Sequence, residues 1–158
     1  MSAPSPSIRR VEDEAVRLGL AIAVRVMPDS TRTAAEAASA CGCAVDQIVK
    51  SLVFAGRETG RPVLLLVSGS NRVNEAGVAA TVGEALTRPN AAQVRAWTGF
   101  AIGGVPPFGH ATPLPIFVDE DLLGFDLVWA TAGTPSAVFS VDPEALARAV
   151  GAKAVRVT

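Results

Sequence analysis

Residues 45–69 read VDQIVKSLVFAGRETGRPVLLLVSG. Two apolar runs rich in Val, Leu and Phe flank the turn-forming GRETGR, and this pattern predicts a β-hairpin. A short helix over 45–49 leads into it. Lys50 stands where that helix gives way to the first strand, with no acidic residue within three positions on either side. It is one of two lysines among the 14 Lys and Arg residues; the other is Lys153. An ammonium placed where the chain elsewhere uses guanidinium marks a candidate site. The competing reading is a lysine that snorkels to solvent from a strand edge.

Working outward, residues 7–18 place Ile8, Val11, Ala15 and Leu18 at helical spacing, with Gly19 as the stop. LAIAVRVM (20–27) reads as a strand ended by Pro28. The next helix is N-capped by Thr33 with Glu36 three residues on, a capping box, and is closed by Gly42. Further helices follow Asn74 and Asn90, the second ending at Gly99. FAIGGVPPFGHATP is a Gly/Pro loop after a short strand. LPIFVD, DLVWATAG and SAVFSV read as strands, with a helical turn at EDLLGF. Asp142 caps a last helix that has Pro143 at its first position, and AVRVT is a final strand.

Hairpin pairs of strands separated by single helices depart from strict β-α alternation. The prediction is therefore a single α+β domain over residues 7–158. Its sheet is mixed, mainly antiparallel and curved or barrel-like, with helices packed outside. Residues 1–6, rich in Ser and Pro, are expected to form a disordered N-terminal tail.

A chain of 158 residues suffices for one domain with a real core. No apolar run approaches roughly 18 residues, so no transmembrane helix is predicted. The start lacks the basic and apolar segments of a signal peptide, which predicts a cytoplasmic protein. The formal net charge of −1 speaks against extensive wrapping of nucleic acid, and no DNA partner is expected. Capture of one nucleotide end in a local pocket stays open.

Cys41, Cys43 and the sole histidine, His110, fall short of the three or four convergent ligands a metal needs. No metal site is predicted. A hydrolase using His110 as base would need a nucleophile motif that neither cysteine carries. The carboxylates of DEDL (119–122) could serve acid/base chemistry or magnesium, but a strand end followed by a helical turn calls for acids there anyway. GSNRVNEA reads as a strand-to-helix turn. GGVPPFG (103–109) has glycines that let a ligand approach the backbone and prolines that fix its carbonyls, or it is a tight connection.

Taken in order, IVKSLVF, GFAIGGVPPFGH with its GxxxP pattern from Gly103 to Pro107, and WATAGTPSAVFSVDP resemble the YbaK family, the editing domains associated with prolyl-tRNA synthetase. The resemblance runs from about Ile8 to Val157. It implies an aminoacyl-tRNA deacylase that removes a small wrong amino acid from tRNA(Pro). Alanine, serine, threonine, cysteine and 2-aminobutyrate are the candidates. Lys50 matches the family's essential lysine at the charged tRNA end. Gly103, Gly104 and Pro107 match the loop whose backbone holds the aminoacyl group. Thr131 falls where the family often has a small hydroxyl residue, with Gly133 in the same turn. The partners implied are the aminoacylated acceptor end and, to protect correctly charged species, prolyl-tRNA synthetase or an elongation factor. A non-catalytic tRNA-end or nucleotide-binding module with the same fold is the alternative.

Such chemistry needs no cofactor and no triad. An aminoacyl ester is already activated by its α-ammonium, and the adjacent ribose hydroxyl can assist. The protein then has to orient the ester and stabilise the developing oxyanion.

Overall fold

Helix ends are set here by their capping residues. The computed structural model describes residues 5–28, 31 and 33–158. Helix α1 (Pro6–Leu18) starts where Ser5 accepts the Ile8 amide, and it stops at left-handed Gly19. Of the tail expected at residues 1–6, Ser5 and Pro6 thus belong to the helix start, because a serine cap followed by proline is a strong initiation signal. Residues 1–4 lie outside the described residues. Strand β1 is only Arg25–Val26, where a strand over 20–27 was expected. Helix α2 (Ala34–Cys41) is capped by the Thr33 hydroxyl on the Glu36 amide. The Glu36 carboxylate accepts from the same hydroxyl at 3.1 Å.

A 3-10 turn (Val45–Gln47) precedes β2 (Val49–Gly56), so Lys50 lies inside the strand rather than at a helix end. Strand β3 (Pro62–Ser68) follows, then α3 (Glu75–Val82), β4 (Leu86–Thr87) and α4 (Ala91–Thr98). The short β4 was not foreseen. The strand expected at the start of FAIGG does not form. Strand β5 (Ile116–Asp119), a 3-10 turn (Glu120–Gly124), β6 (Val128–Thr131), β7 (Ala137–Val141), α5 (Pro143–Val150) and β8 (Lys153–Val155) complete the chain.

The architecture is α+β, with the strands divided over two sheets instead of one. The larger runs β4-β2-β3-β5-β8, and the smaller runs β1-β7-β6. The β2–β3 hairpin is antiparallel, pairing Lys50 with Val67 and Leu52 with Leu65. β3 with β5 and β5 with β8 are parallel; the other pairs are antiparallel. Among the described residues, a single parallel bridge between Ile48 and Trp129 links the sheets.

The run VLLLV explains why β3 is central. Leu64 and Leu66 point into a core shared with Val128, Ala130 and Phe139 of the small sheet and with Ile8, Val11 and Ala15 of α1. Val63, Leu65 and Val67 point the other way, onto Phe54, Val78 and Val157. A strand covered on both faces has no polar side to show, hence the continuous apolar run. Among the described residues no helix is long and apolar enough to cross a membrane.

Candidate functional site

Strand alternation puts Lys50, Leu52 and Phe54 on one face of β2. The Lys50 ammonium is half-buried and donates to the Asn71 carbonyl at 2.6 Å. Burial lowers its pKa first of all, and nearby Arg72 adds to the shift; the Asp119 charge opposes both. Asn71 lies in the loop between β3 and α3. Its side-chain amide donates to Asp119 Oδ2 and Asp121 Oδ2, each at 2.8 Å. Asp119, at the end of β5, is only 1% exposed. It also accepts the Ser68 amide at 3.0 Å and the Asp121 amide at 3.0 Å.

Two cavities meet at this lysine. One, of about 310 Å³, is walled by Ala34 and Ala37 of α2, Ile48, Trp129, Thr131 and Val138. It is mostly apolar, with the Thr131 hydroxyl residue at its edge. The other, of about 630 Å³, holds Arg72, Val73, Arg88 and Pro89 around Phe54. Lys50, Ser51, Leu52, Ile102, Gly103 and Val105 line both. Arg88 sits over the Phe54 ring, 6.0 Å from its centroid, and pairs with Glu75 at 3.2 Å. Ile102 is 58% exposed, an apolar side chain standing at the mouth of both spaces. The Ser51 hydroxyl is buried without a hydrogen-bond partner among the described residues.

Of the residues singled out in the sequence, Lys50, Gly103 and Thr131 come together around the smaller cavity. Gly104, Pro107 and Gly133 are buried and line neither cavity. A Cβ on Gly104 would stand 3.0 Å from the Gly133 carbonyl oxygen, so the loop backbone rides directly on the turn after β6. Gly133 has φ +97°, and a Cβ there would come 2.8 Å from the Ser7 carbonyl oxygen. A side chain at Gly104 would press on the Gly133 backbone, and one at Gly133 would be strained and clash with the start of α1.

His110 is spoken for. Its Nε2 lies 2.7 Å from the Pro106 carbonyl oxygen, and burial lowers its pKa. It lines neither cavity and braces the loop from Gly103 to Gly109. Cys41 and Cys43 are half-buried free thiols; burial pushes Cys41 up to about 11. A thiol so shifted is almost wholly protonated near neutral pH and is a poor nucleophile.

Sequence reasoning missed Asn71, Asp119, Arg72 and Arg88. Asn71 and Asp119 are 48 positions apart. Each sits in a stretch with an adequate local explanation, a turn and a cap respectively. The cap reading of Asp119 holds, since it accepts the Asp121 amide, but its near-complete burial has no signature in the sequence.

The family described as "Aminoacyl-tRNA editing domain" matches residues 28–149. A solved structure of a protein proposed to be a trans-editing enzyme for prolyl tRNA synthetase is 48% identical. It superposes with a TM-score of 0.92, covering 99% of both chains. The crystal structure of hypothetical protein APE2540 is 30% identical, with a TM-score of 0.87 over 94% of this chain and 98% of that one. YwhH of Bacillus subtilis (strain 168), itself uncharacterised, is 29% identical over 74% of each chain. A proline–tRNA ligase of Nitratidesulfovibrio vulgaris (strain DP4) is 32% identical over 72% of this chain; the match spans 19% of the ligase.

Proposed function

Because the chain belongs to the aminoacyl-tRNA editing domain family, we propose that it hydrolyses the ester of a transfer RNA charged with a small wrong amino acid, with tRNA(Pro) as the carrier. The observation that carries this reading is the meeting of two unlike cavities at one lysine. The smaller, largely apolar cavity takes the aminoacyl group, with Thr131 at its edge. The larger one, with Arg72 and Arg88 beside the Phe54 ring, takes the terminal ribose, its base and the adjoining phosphate. The scissile ester then lies at the junction, beside Lys50 and the Gly103 backbone.

Hydrolysis proceeds by attack of water on the ester carbonyl carbon. The carbonyl oxygen becomes an oxyanion, and the Lys50 ammonium faces that developing charge. One of its protons is held by the Asn71 carbonyl, leaving two for substrate. As the tetrahedral centre collapses, the bond to the ribose oxygen breaks and the proton lost by water ends on that oxygen. The neighbouring ribose hydroxyl relays it. A compact ammonium in a site with apolar walls acts more strongly than it would in water. The protein contributes position and charge, which is the larger part of such catalysis.

Selection by size alone is limited, because one methylene is worth about 1–3 kcal/mol. Correctly charged tRNA therefore needs protection by prolyl-tRNA synthetase or an elongation factor. The likeness to a proposed trans-editing enzyme for prolyl tRNA synthetase supports tRNA(Pro) as the carrier.

The test is deacylation of tRNA(Pro) and tRNA(Ala), each charged with alanine, serine, threonine, cysteine, 2-aminobutyrate or the cognate amino acid. Cysteine needs an enzyme-free control, because its own thiol attacks the ester. Turnover of a small non-cognate species on tRNA(Pro) is expected. Binding of the charged end without turnover of any species would make the domain a non-catalytic module.

A further inference from the structure

We propose that Asn71 and Asp119 are positioning residues for Lys50: the Asp119 carboxylate anchors the Asn71 side chain, and the anchored Asn71 carbonyl aims the ammonium at the junction of the two cavities. This rests on the deacylase reading above.

The chain of contacts is continuous. Lys50 Nζ donates to the Asn71 carbonyl at 2.6 Å. Asn71 Nδ2 spends its two protons on two carboxylates, Asp119 and Asp121. Asp119 is fixed in turn by the backbone amides of Ser68 and Asp121. The loop that follows β3 is thereby clamped to the end of β5. Without the clamp, a loop carbonyl is a soft anchor for a long, rotamer-rich side chain. With it, the ammonium has one fixed acceptor on the protein side.

The arrangement also sets the local field. Among the described residues, Asp119 has no hydrogen-bonded cation of its own. Its three donors are two backbone amides and the Asn71 amide. Its negative charge therefore reaches Lys50 through one neutral residue. Among the described residues, the charged groups that face Lys50 are Arg72 from the same loop and Asp119 from β5, with Asp121 one contact further out. Burial and Arg72 favour the neutral amine, whereas Asp119 favours the ammonium. Asp119 caps the turn after β5 and also reaches the residue that holds Lys50, so the cap and the lysine's acceptor are tied together.

The chain's two lysines make the test direct. With 13Cε-lysine incorporated, Lys50 and exposed Lys153 give two resonances, the second serving as an internal reference. Two variants are compared with wild type by this titration and by deacylation kinetics. Asn71→Ala keeps the carbonyl but loses both carboxylate contacts. Its kcat is expected to fall about a hundredfold with KM nearly unchanged, the cost of a misplaced reacting group. Its Lys50 resonance is expected to move towards that of Lys153. Asp119→Asn is expected to move the Lys50 titration midpoint to lower pH and to carry the alkaline limb of the rate with it.

A folded Asn71→Ala with wild-type kcat overturns the proposal. So does a Lys50 midpoint unmoved in folded Asp119→Asn. If Asp119→Asn fails to fold, the kinetics and resonance of Asn71→Ala decide. If wild type turns over no charged tRNA, the deacylase reading fails by itself, and the titration still decides whether Asp119 and Asn71 set the state of Lys50.

Discussion

Lys50→Met removes the ammonium and keeps most of the stem, so it separates charge from packing. Two effects on stability oppose each other. The variant loses a 2.6 Å hydrogen bond from a charged donor to the Asn71 carbonyl, an interaction worth about 1.5–3 kcal/mol. It also escapes the burial of a charge, the leading cause of the lowered Lys50 pKa. The net change should stay near 1 kcal/mol, about 2–4 °C in Tm for a chain of this size. Activity has no such offset. The ammonium faces charge that develops only in the transition state, so its loss should cost about 10²–10³-fold in kcat, or roughly 2.7–4 kcal/mol. The assay is initial-rate deacylation of alanyl-tRNA(Pro) over a range of concentrations, with melting followed by circular dichroism. A well-folded variant within about fivefold of wild type would refute the role given to Lys50. A raised KM with unchanged kcat would make Lys50 a ground-state phosphate anchor instead.

The remaining expectations are independent of that one. If the ammonium is the active form, activity is present below the Lys50 pKa and lost as pH rises through it. Because that pKa lies below the usual 10.5, the limb should appear earlier than for a free lysine, and Arg72→Gln should move it back up. Rates corrected for spontaneous hydrolysis will show it. Gly104→Ala should press on the Gly133 carbonyl and cost about 1–3 kcal/mol of stability. Turnover of alanine, serine and 2-aminobutyrate esters should fall by a common factor; a loss graded by size would put Gly104 in the pocket wall itself. Ser51→Ala deletes a buried hydroxyl with no partner among the described residues, so it should melt at or above wild type; a loss beyond about 1 kcal/mol would mean the hydroxyl has a partner. Salt should weaken binding of the charged end gently. Arg72 and Arg88 can meet about two single-strand phosphates, for a log–log slope of about −1.4, whereas a slope equivalent to about six or more contacts would demand another basic face.

Helices were the legible part of the fold because capping is local. Caps at Thr33, Asn74 and Asp142 and the stop at Gly99 placed α2 to α5 nearly to the residue, whereas the Ser5 cap of α1 went unread. The hairpin at 45–69 was legible for the same reason, since its partner strands are joined by one turn. Division into two sheets was not, because Leu64 looks equally apolar whether its neighbour belongs to the same sheet or to another. β1 shrank because Leu20, Ile22 and Val24 pack on the core without strand partners. At the site, Lys50 stood out by its rarity. Asn71 and Asp119 did not, because long-range burial alone turns a turn asparagine and a capping aspartate into a bracket for the lysine.

The two-sheet division has an evolutionary consequence. Lys50, Asn71 and Asp119 belong to the large sheet and its loops, whereas Trp129, Thr131 and Val138, which bound the smaller cavity, belong to the small one. The sheets share a core but, among the described residues, only one backbone bridge. On the proposed function, mutations that resize the cavity can accumulate on β6 and β7 while the reacting group keeps its setting. Substrate preference can then drift among descendants of one ancestral gene without passing through an inactive intermediate.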